Sequence, residues 1–370
     1  MKNVLVFTGA YSETLTLGTG EVVVGRGDGI CVFRMNPENG ALDLLSSTKC
    51  ANPTYVALDH KKKHLYTTNE IKNFHDLESS AASSFAVDGI TGKLTFINQR
   101  ITGGLDSAHI YISSDDRYAM VANYKSGSTI VLPIGADGSL GKPTCFLQLK
   151  GSGPDPIRQE GPHAHQVMPD REEKRVFVTD LGSDKVIAYD VDWEMGYLHP
   201  NPKAVIQVTA GEGPRHCVFN QAGDTLYLLT EMGHMIHVYE YDQDEPSLKE
   251  IQVISTMPEN ATEPTISAAI KIHPNGKLLY GSNRGHNSLA TYRVDDQTGK
   301  LSILSYQSTG GKTPRDFDIS SDGKFLILGH QDTSTLVVFR IDEENGNLTE
   351  VFRVHDVFNV TCVVIAEMDE

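Results

Sequence analysis

Gly211-Glu212-Gly213-Pro214-Arg215-His216-Cys217-Val218-Phe219 leads through a turn at Ala222-Gly223-Asp224 into Thr225-Leu226-Tyr227-Leu228-Leu229-Thr230 and stops at Glu231. Two apolar runs either side of a Gly-bearing turn read as an antiparallel hairpin. In a hairpin the start of the first strand lies beside the end of the second, so Arg215 and Glu231 are expected at one edge of the sheet. The same unit recurs as Pro53 to Leu58 with His64 to Tyr66, Ser107 to Ile112 with Tyr118 to Asn123, and His163 to Met168 with Arg175 to Asp180. It recurs again as Ser267 to Ile272 with Leu278 to Asn283 and as Pro314 to Ile319 with Lys324 to His330. A spacing of about fifty residues is that of propeller blades.

Each copy continues into a second hairpin whose turn carries a breaker just before a Leu. The series runs through Gly40, Gly92, Gly138, Gly196, Pro246, Gly299 and Gly346. Seven such turns predict an all-β, seven-bladed β-propeller with four antiparallel strands per blade. Val4 to Thr8 reads as a second strand with no first strand before it, and Val360 to Ile365 as a first strand with no second after it. Pairing the two closes the ring and leaves no inner edge open, which predicts a single domain over 1–370.

Composition narrows the function classes. A formal charge of −16 over 370 residues argues against nucleic acid or an anionic membrane as partner, while leaving room for a small anion held by a few arginines. Met1-Lys2-Asn3 runs straight into a short strand pattern, and no apolar run reaches membrane-spanning length, so the chain reads as cytoplasmic. Five cysteines without CxxC spacing read as buried small hydrophobes. No Gly-x-Ser-x-Gly elbow, P-loop or HExxH occurs, and no cofactor is called for.

In a propeller, first-strand starts and second-strand ends meet at one mouth of the channel. The first group contributes His109, His163, His165, Arg215, His216, Arg315 and Asp316; the second contributes Asn69, Glu70, Asn123, Asp180, Glu231, Asn283, Arg284 and His330. Asn69, Asn123, Asp180 and Asn283 also suit the plainer task of fixing a turn. Period-two alternation puts His216 on the strand face opposite Arg215, between blades, and puts His163 and His165 on one face. Arginine forks suit carboxylate or phosphate and a developing oxyanion, a nearby Glu231 stays ionised, and an imidazole moves protons near neutral pH. His163-x-His165 with Asp180 or Glu231 is a loose metal pattern that neighbouring arginines oppose, so no metal is expected. The loops Tyr11 to Gly29 and Ile71 to Ala82 fall at the same mouth as candidate rim or lid segments.

At these motifs the chain resembles the propeller-type lactonases, a family that includes bacterial 6-phosphogluconolactonase and the fungal 3-carboxy-cis,cis-muconate cyclase. The matching stretches are Gly161-Pro162-His163-Ala164-His165 with Thr179-Asp180-Leu181-Gly182, Gly213-Pro214-Arg215-His216, Glu231, Ser282 to Ser288, and Pro314-Arg315-Asp316-Phe317. The resemblance implies an acidic-lactone site at one mouth. It also implies a catalytic set falling on the His163-His165 motif, Arg215, Glu231 and Arg284.

The leading expectation is therefore hydrolysis of an acidic sugar lactone, 6-phosphogluconolactone first. His163 or His165 activates water, Glu231 orients it or acts as base, and Arg215 and Arg284 hold the oxyanion. Arg315, Asn283, Asp180 and His330 bind the substrate. A muconate-type cycloisomerase uses the same residues differently. A non-catalytic binding propeller has no need for arginines facing a carboxylate, and the WD signature of common scaffold propellers is missing.

Overall fold

The computed structural model describes residues 3–18 and 20–368, so Met1, Lys2, Asp369, Glu370 and one residue of the Tyr11 to Gly29 loop lie outside the described residues. Seven four-stranded antiparallel sheets form the blades, and six of them run in chain order from the channel outward. We number them from the first complete copy: blade 1 spans 53–101, blade 2 107–148, blade 3 164–207, blade 4 214–255, blade 5 266–308 and blade 6 314–355. Blade 7 is made from both ends of the chain. Val360–Met368 is its inner strand and pairs with Asn3–Ala10, in register from Asn3 opposite Met368 to Gly9 opposite Cys362, with a one-residue shift before Ala10 meets Val360. Inner strands of neighbouring blades pack side by side right round the ring, with that of blade 7 touching those of blades 6 and 1.

Strand chemistry explains the layering. Second strands such as Thr225–Thr230 are buried at every position and read as continuous apolar runs, because other blades cover both of their faces. Outer strands such as Leu348–His355 expose most of their residues to water. The outer-turn glycines have two reasons to be glycine. Gly196 has φ +61°, and a Cβ there would lie 2.2 Å from the Tyr118 ring of blade 2, so the turn fits against its neighbour only without a side chain. Blade 2 departs from the expected outer hairpin. Its Asp137 to Leu140 turn closes on one bridge, Ile134 to Leu140, and the strand resumes only at Cys145, after Gly141-Lys142-Pro143 breaks the ladder.

Candidate active site

One irregularity, repeated in every blade, builds the site. Where each inner hairpin reaches the mouth, its register slips. Ala164 pairs with Asp180 but Gln166 with Thr179, which leaves His165 unpaired. Pro214 pairs with Thr230 and His216 with Leu229, leaving out Arg215; Pro314 pairs with His330 and Asp316 with Gly329, leaving out Arg315. The same slip leaves out Ala108 in blade 2 and Thr361 in blade 7, and falls at Thr54 and Tyr55 in blade 1. A β-bulge frees one residue from the ladder and re-aims it. Here the freed residues Thr54, Ala108, His165, Arg215, Arg315 and Thr361 together line a chamber of about 20 Å³ in the channel.

A second ring sits one residue beyond each second strand, or in blade 5 at the last residue of it. Its members are Tyr11, Glu70, Tyr124, Leu181, Glu231, Arg284 and Gln331, and six of them hold station by donating a backbone N–H to the residue entering the facing inner strand, such as Glu231 to the Gly213 carbonyl at 2.7 Å. Glu231 is the hub of this ring. Its Oε2 accepts from Arg215 Nε at 2.8 Å and pairs with Arg284 Nη2 at 3.0 Å, while its Oε1 meets Arg158 Nη2 at 2.5 Å. Arg158 in turn reaches the Tyr124 hydroxyl at 3.3 Å. Opposite, Arg315 donates to Gln331 Oε1 at 3.0 Å and lies over the Tyr11 ring, whose hydroxyl donates to Glu70 at 3.4 Å.

The electrostatics follow from this packing. Burial alone would raise the Glu231 carboxyl, but Arg284, Arg158 and Arg215 outweigh it and hold the group well below the usual carboxylate range. Burial, with the neighbouring arginines, pulls Arg284 down to about 9, still cationic at neutral pH. His165 is pushed well below the ordinary imidazole value by burial and by Arg215, so it is neutral, and its Nδ1 has no hydrogen-bond partner. The Nε of Arg158 and of Arg284 are likewise buried and unpartnered, donors that suit an incoming oxyanion. Among the described residues no three His, Cys, Asp or Glu side chains gather as a metal site requires.

Several expectations need correcting. His163 and His165 do not share a face. His163 stacks on Tyr124 at 4.6 Å, with Nδ1 against the Tyr124 carbonyl and Nε2 against Glu160, whereas the bulge sends His165 into the chamber. His216 is not between blades, because the bulge absorbs one residue of the alternation; it lines the chamber with Arg215 and packs edge-on to His165 at 5.1 Å. Asp180, Asn283 and His330, expected to meet substrate, each stand one residue short of the second ring. Asp180 accepts from the backbone of His163, Gly182 and Ser183, Asn283 is tied to Thr256 and Ser267, and His330 to Thr335. The residues facing inward at those three corners are Leu181, Arg284 and Gln331.

Arg158 has no repeat position and was missed. It comes from the insertion 151–161, where Asp155 Oδ1 accepts from the backbone of Ile157 and Arg158 and winds a turn that carries the guanidinium over Glu231. The only sequence signal was an arginine in a Gly/Pro-rich loop beside the mouth. Of the expected rim loops, the first does reach the site: it starts at Tyr11 and is pinned by Ser12 and Glu13 donating to Asn52 Oδ1. The second packs by Lys72 against Asp106, at the edge. A much larger cavity, about 1020 Å³, opens at the far end of the channel, but its lining holds no arginine and belongs to the opposite mouth.

Comparison with known proteins fits this geometry. The family described as Lactonase, 7-bladed beta-propeller, matches residues 6–365. The chain belongs to that family. Within the lactonase family it is 32% identical over 83% of its length to a 6-phosphogluconolactonase of Bacillus subtilis, covering 86% of that protein. A 6-phosphogluconolactonase of Formosa agariphila is 31% identical over 82% of this chain and 85% of its own. Among solved structures, the periplasmic gluconolactonase of Pseudomonas aeruginosa superposes with a TM-score of 0.91 at 27% identity, covering 99% of this chain and all of that one.

The divergence of the two histidines sets a prediction for this lactonase fold. His163→Ala removes one buried bond, to the Tyr124 carbonyl, and one half-buried bond, to Glu160, and is expected to cost about 1–3 kcal/mol of stability while leaving turnover within a few-fold. His165→Ala is expected to melt near wild type and lose at least about tenfold in kcat. Thermal melts beside initial rates check the pair.

Proposed function

We propose that this chain hydrolyses an anionic sugar lactone at this mouth of the channel, with 6-phosphogluconolactone as its substrate. The observation that carries the reading is the local charge. Arg158, Arg215, Arg284 and Arg315 gather around Glu231, Glu70 and Asp316, so four guanidiniums face three carboxylates in a chain whose formal charge is −16. Such a basin is expected to draw and hold an anion. The names borne by the Bacillus, Formosa and Pseudomonas relatives lend the same support.

In the reaction a water adds to the lactone carbonyl carbon and the C=O electron pair moves to oxygen. Arg215 and Arg284 receive that oxyanion, already held in place by Glu231, so no side chain has to reorganise as the charge develops. Glu231, wrapped by three guanidiniums, keeps its charge and acts as their anchor. Neutral His165 accepts a hydrogen bond from the attacking water at its free Nδ1. Collapse of the tetrahedral intermediate breaks the ring C–O bond and opens the hydroxy acid. Arg315, across the chamber, takes the distal phosphate or carboxylate.

The test is a pH-stat assay at neutral pH on phosphorylated and non-phosphorylated sugar lactones, corrected for spontaneous opening. The phosphorylated lactone is expected to open fastest. Arg315→Ala is expected to raise its KM by about tenfold or more, the value of one lost charged hydrogen bond, while changing the non-phosphorylated lactone's KM less. Failure to accelerate any acidic lactone overturns the reading.

A further inference from the structure

The lactone reading leaves one buried carboxylate without a task. Glu70 stands in blade 1 at the position equivalent to Glu231 in blade 4, three blades round the ring, and the two have opposite surroundings. Glu231 is gripped by guanidiniums. Glu70 instead meets hydroxyls, those of Tyr11 at 3.4 Å and of Thr54, and lines the small chamber together with His165, Arg215, Arg315 and Asp316. At about 20 Å³ that chamber accommodates one water, since roughly 10–15 Å³ suffices for a molecule with two to four polar partners. Three atoms on its lining residues, His165 Nδ1, Asp316 Oδ1 and Thr361 Oγ1, are buried without a hydrogen-bond partner. The chamber is thus a polar pocket of single-water size with two carboxylates in its wall, and Asp316 is already engaged by the Val363 backbone N–H at 3.0 Å.

We propose that Glu70 is the general base and acid of this enzyme: it takes the proton of the water seated in this chamber and returns it to the leaving ring oxygen. The inference rests on the lactone reading and deepens it. As the water oxygen bonds to the carbonyl carbon, one of its protons passes to the Glu70 carboxylate. When the ring C–O bond breaks, the departing alkoxide oxygen takes that proton, Glu70 is again ionised, and the new carboxylic acid loses its proton to solvent.

Charge states agree with this division of labour. Burial pushes the Glu70 carboxyl up to about 7, against the pull of Arg315 and with a small push from Asp106. Besides Arg315, the other titratable groups of the chamber are Tyr55, His165, Arg215, His216 and Asp316, and Tyr11 backs the Glu70 carboxylate from outside it. A base poised near neutrality transfers protons efficiently, whereas a carboxylate held ionised far below that, as Glu231 is, makes a poor one.

The experiment is the pH dependence of kcat/KM on an opened lactone for wild type, Glu70→Gln and Tyr11→Phe, with thermal melts alongside. Wild type is expected to rise with pH to a plateau with a midpoint near 7. Glu70→Gln is expected to melt at or above wild type, to lose about 10²-fold or more, and to lose the rising limb. Tyr11→Phe removes a donor that favours the ionised carboxylate, so its limb is expected at higher pH; this arm stands even if Glu70→Gln fails to fold. An active wild type with Glu70→Gln within threefold and its limb intact, or a limb unmoved in Tyr11→Phe, overturns the role of Glu70 alone. A wild type that opens no acidic lactone overturns the function and this role with it.

Discussion

Glu231→Gln is expected to lower kcat/KM for the lactone by about a thousandfold or more and to cost about 3–5 kcal/mol of stability, the scale for breaking a buried ion pair. The amide matches the carboxylate in shape, so the loss reports charge. Without it, Arg158, Arg215 and Arg284 face one another across a site where Glu231 and Arg215 are each only 3% exposed. Both the mutual repulsion and the loss of the common acceptor are then expected to splay the fork proposed to receive the oxyanion. The pH dependence has a definite sign. The folded Glu231 carboxyl lies well below its ordinary value, so its contribution is fully present above the unfolded value near ~4.3 and disappears only as the pH falls through the folded one. Urea titrations of wild type and variant are therefore expected to show the same gap at pH 6 and pH 8, narrowing only in strong acid. A gap that closes near neutrality would contradict the ionised hub.

Arg284→Ala is expected to lose about 10²–10³-fold in kcat, the range for removing one oxyanion donor. Arg284 Nη2 is committed to Glu231 and to the Ser267 carbonyl, both at 3.0 Å, which fixes the plane of the guanidinium and leaves Nε as the free donor. Arg284→Lys keeps the charge but not the fork, and is expected to recover less than tenfold of that loss. Guanidinium ion added to the Ala variant is expected to restore part of its rate and to do nothing for Glu231→Gln, which lacks the anchor rather than the donor. If kcat stays within threefold and only KM rises, Arg284 binds the substrate but does not act on the transition state.

The two variants probe residues of unequal legibility. Glu231 and Arg215 stand out in sequence because a hairpin must bring its two open ends together, and the bulge that frees Arg215 then completes the 2.8 Å pair between them. The repeat made the rest of the ring legible to within one residue. That margin decided Asp180, Asn283 and His330, whose side chains go to the backbone frame while Leu181, Arg284 and Gln331 turn inward. Glu70 was visible as a ring member, but its distinct surroundings depend on Tyr11, which enters from blade 7 and joins it only when the ring closes.

Read as a pattern, the chain alone determined the seven blades, the closure of Val360–Met368 on Asn3–Ala10, and which mouth gathers the arginines. Turn glycines and alternating apolar strands impose these locally, and a sheet edge left open imposes the rest. Only the tertiary structure decided which side chains enter the channel. The bulges that free His165, Arg215 and Arg315 insert one unpaired residue each, and a slip of one residue reverses the strand faces beyond it, so alternation counted along the sequence could not place His216 or separate His163 from His165. Arg158 lay further still from any repeat rule, since a loop places its side chain by contacts made with the finished fold.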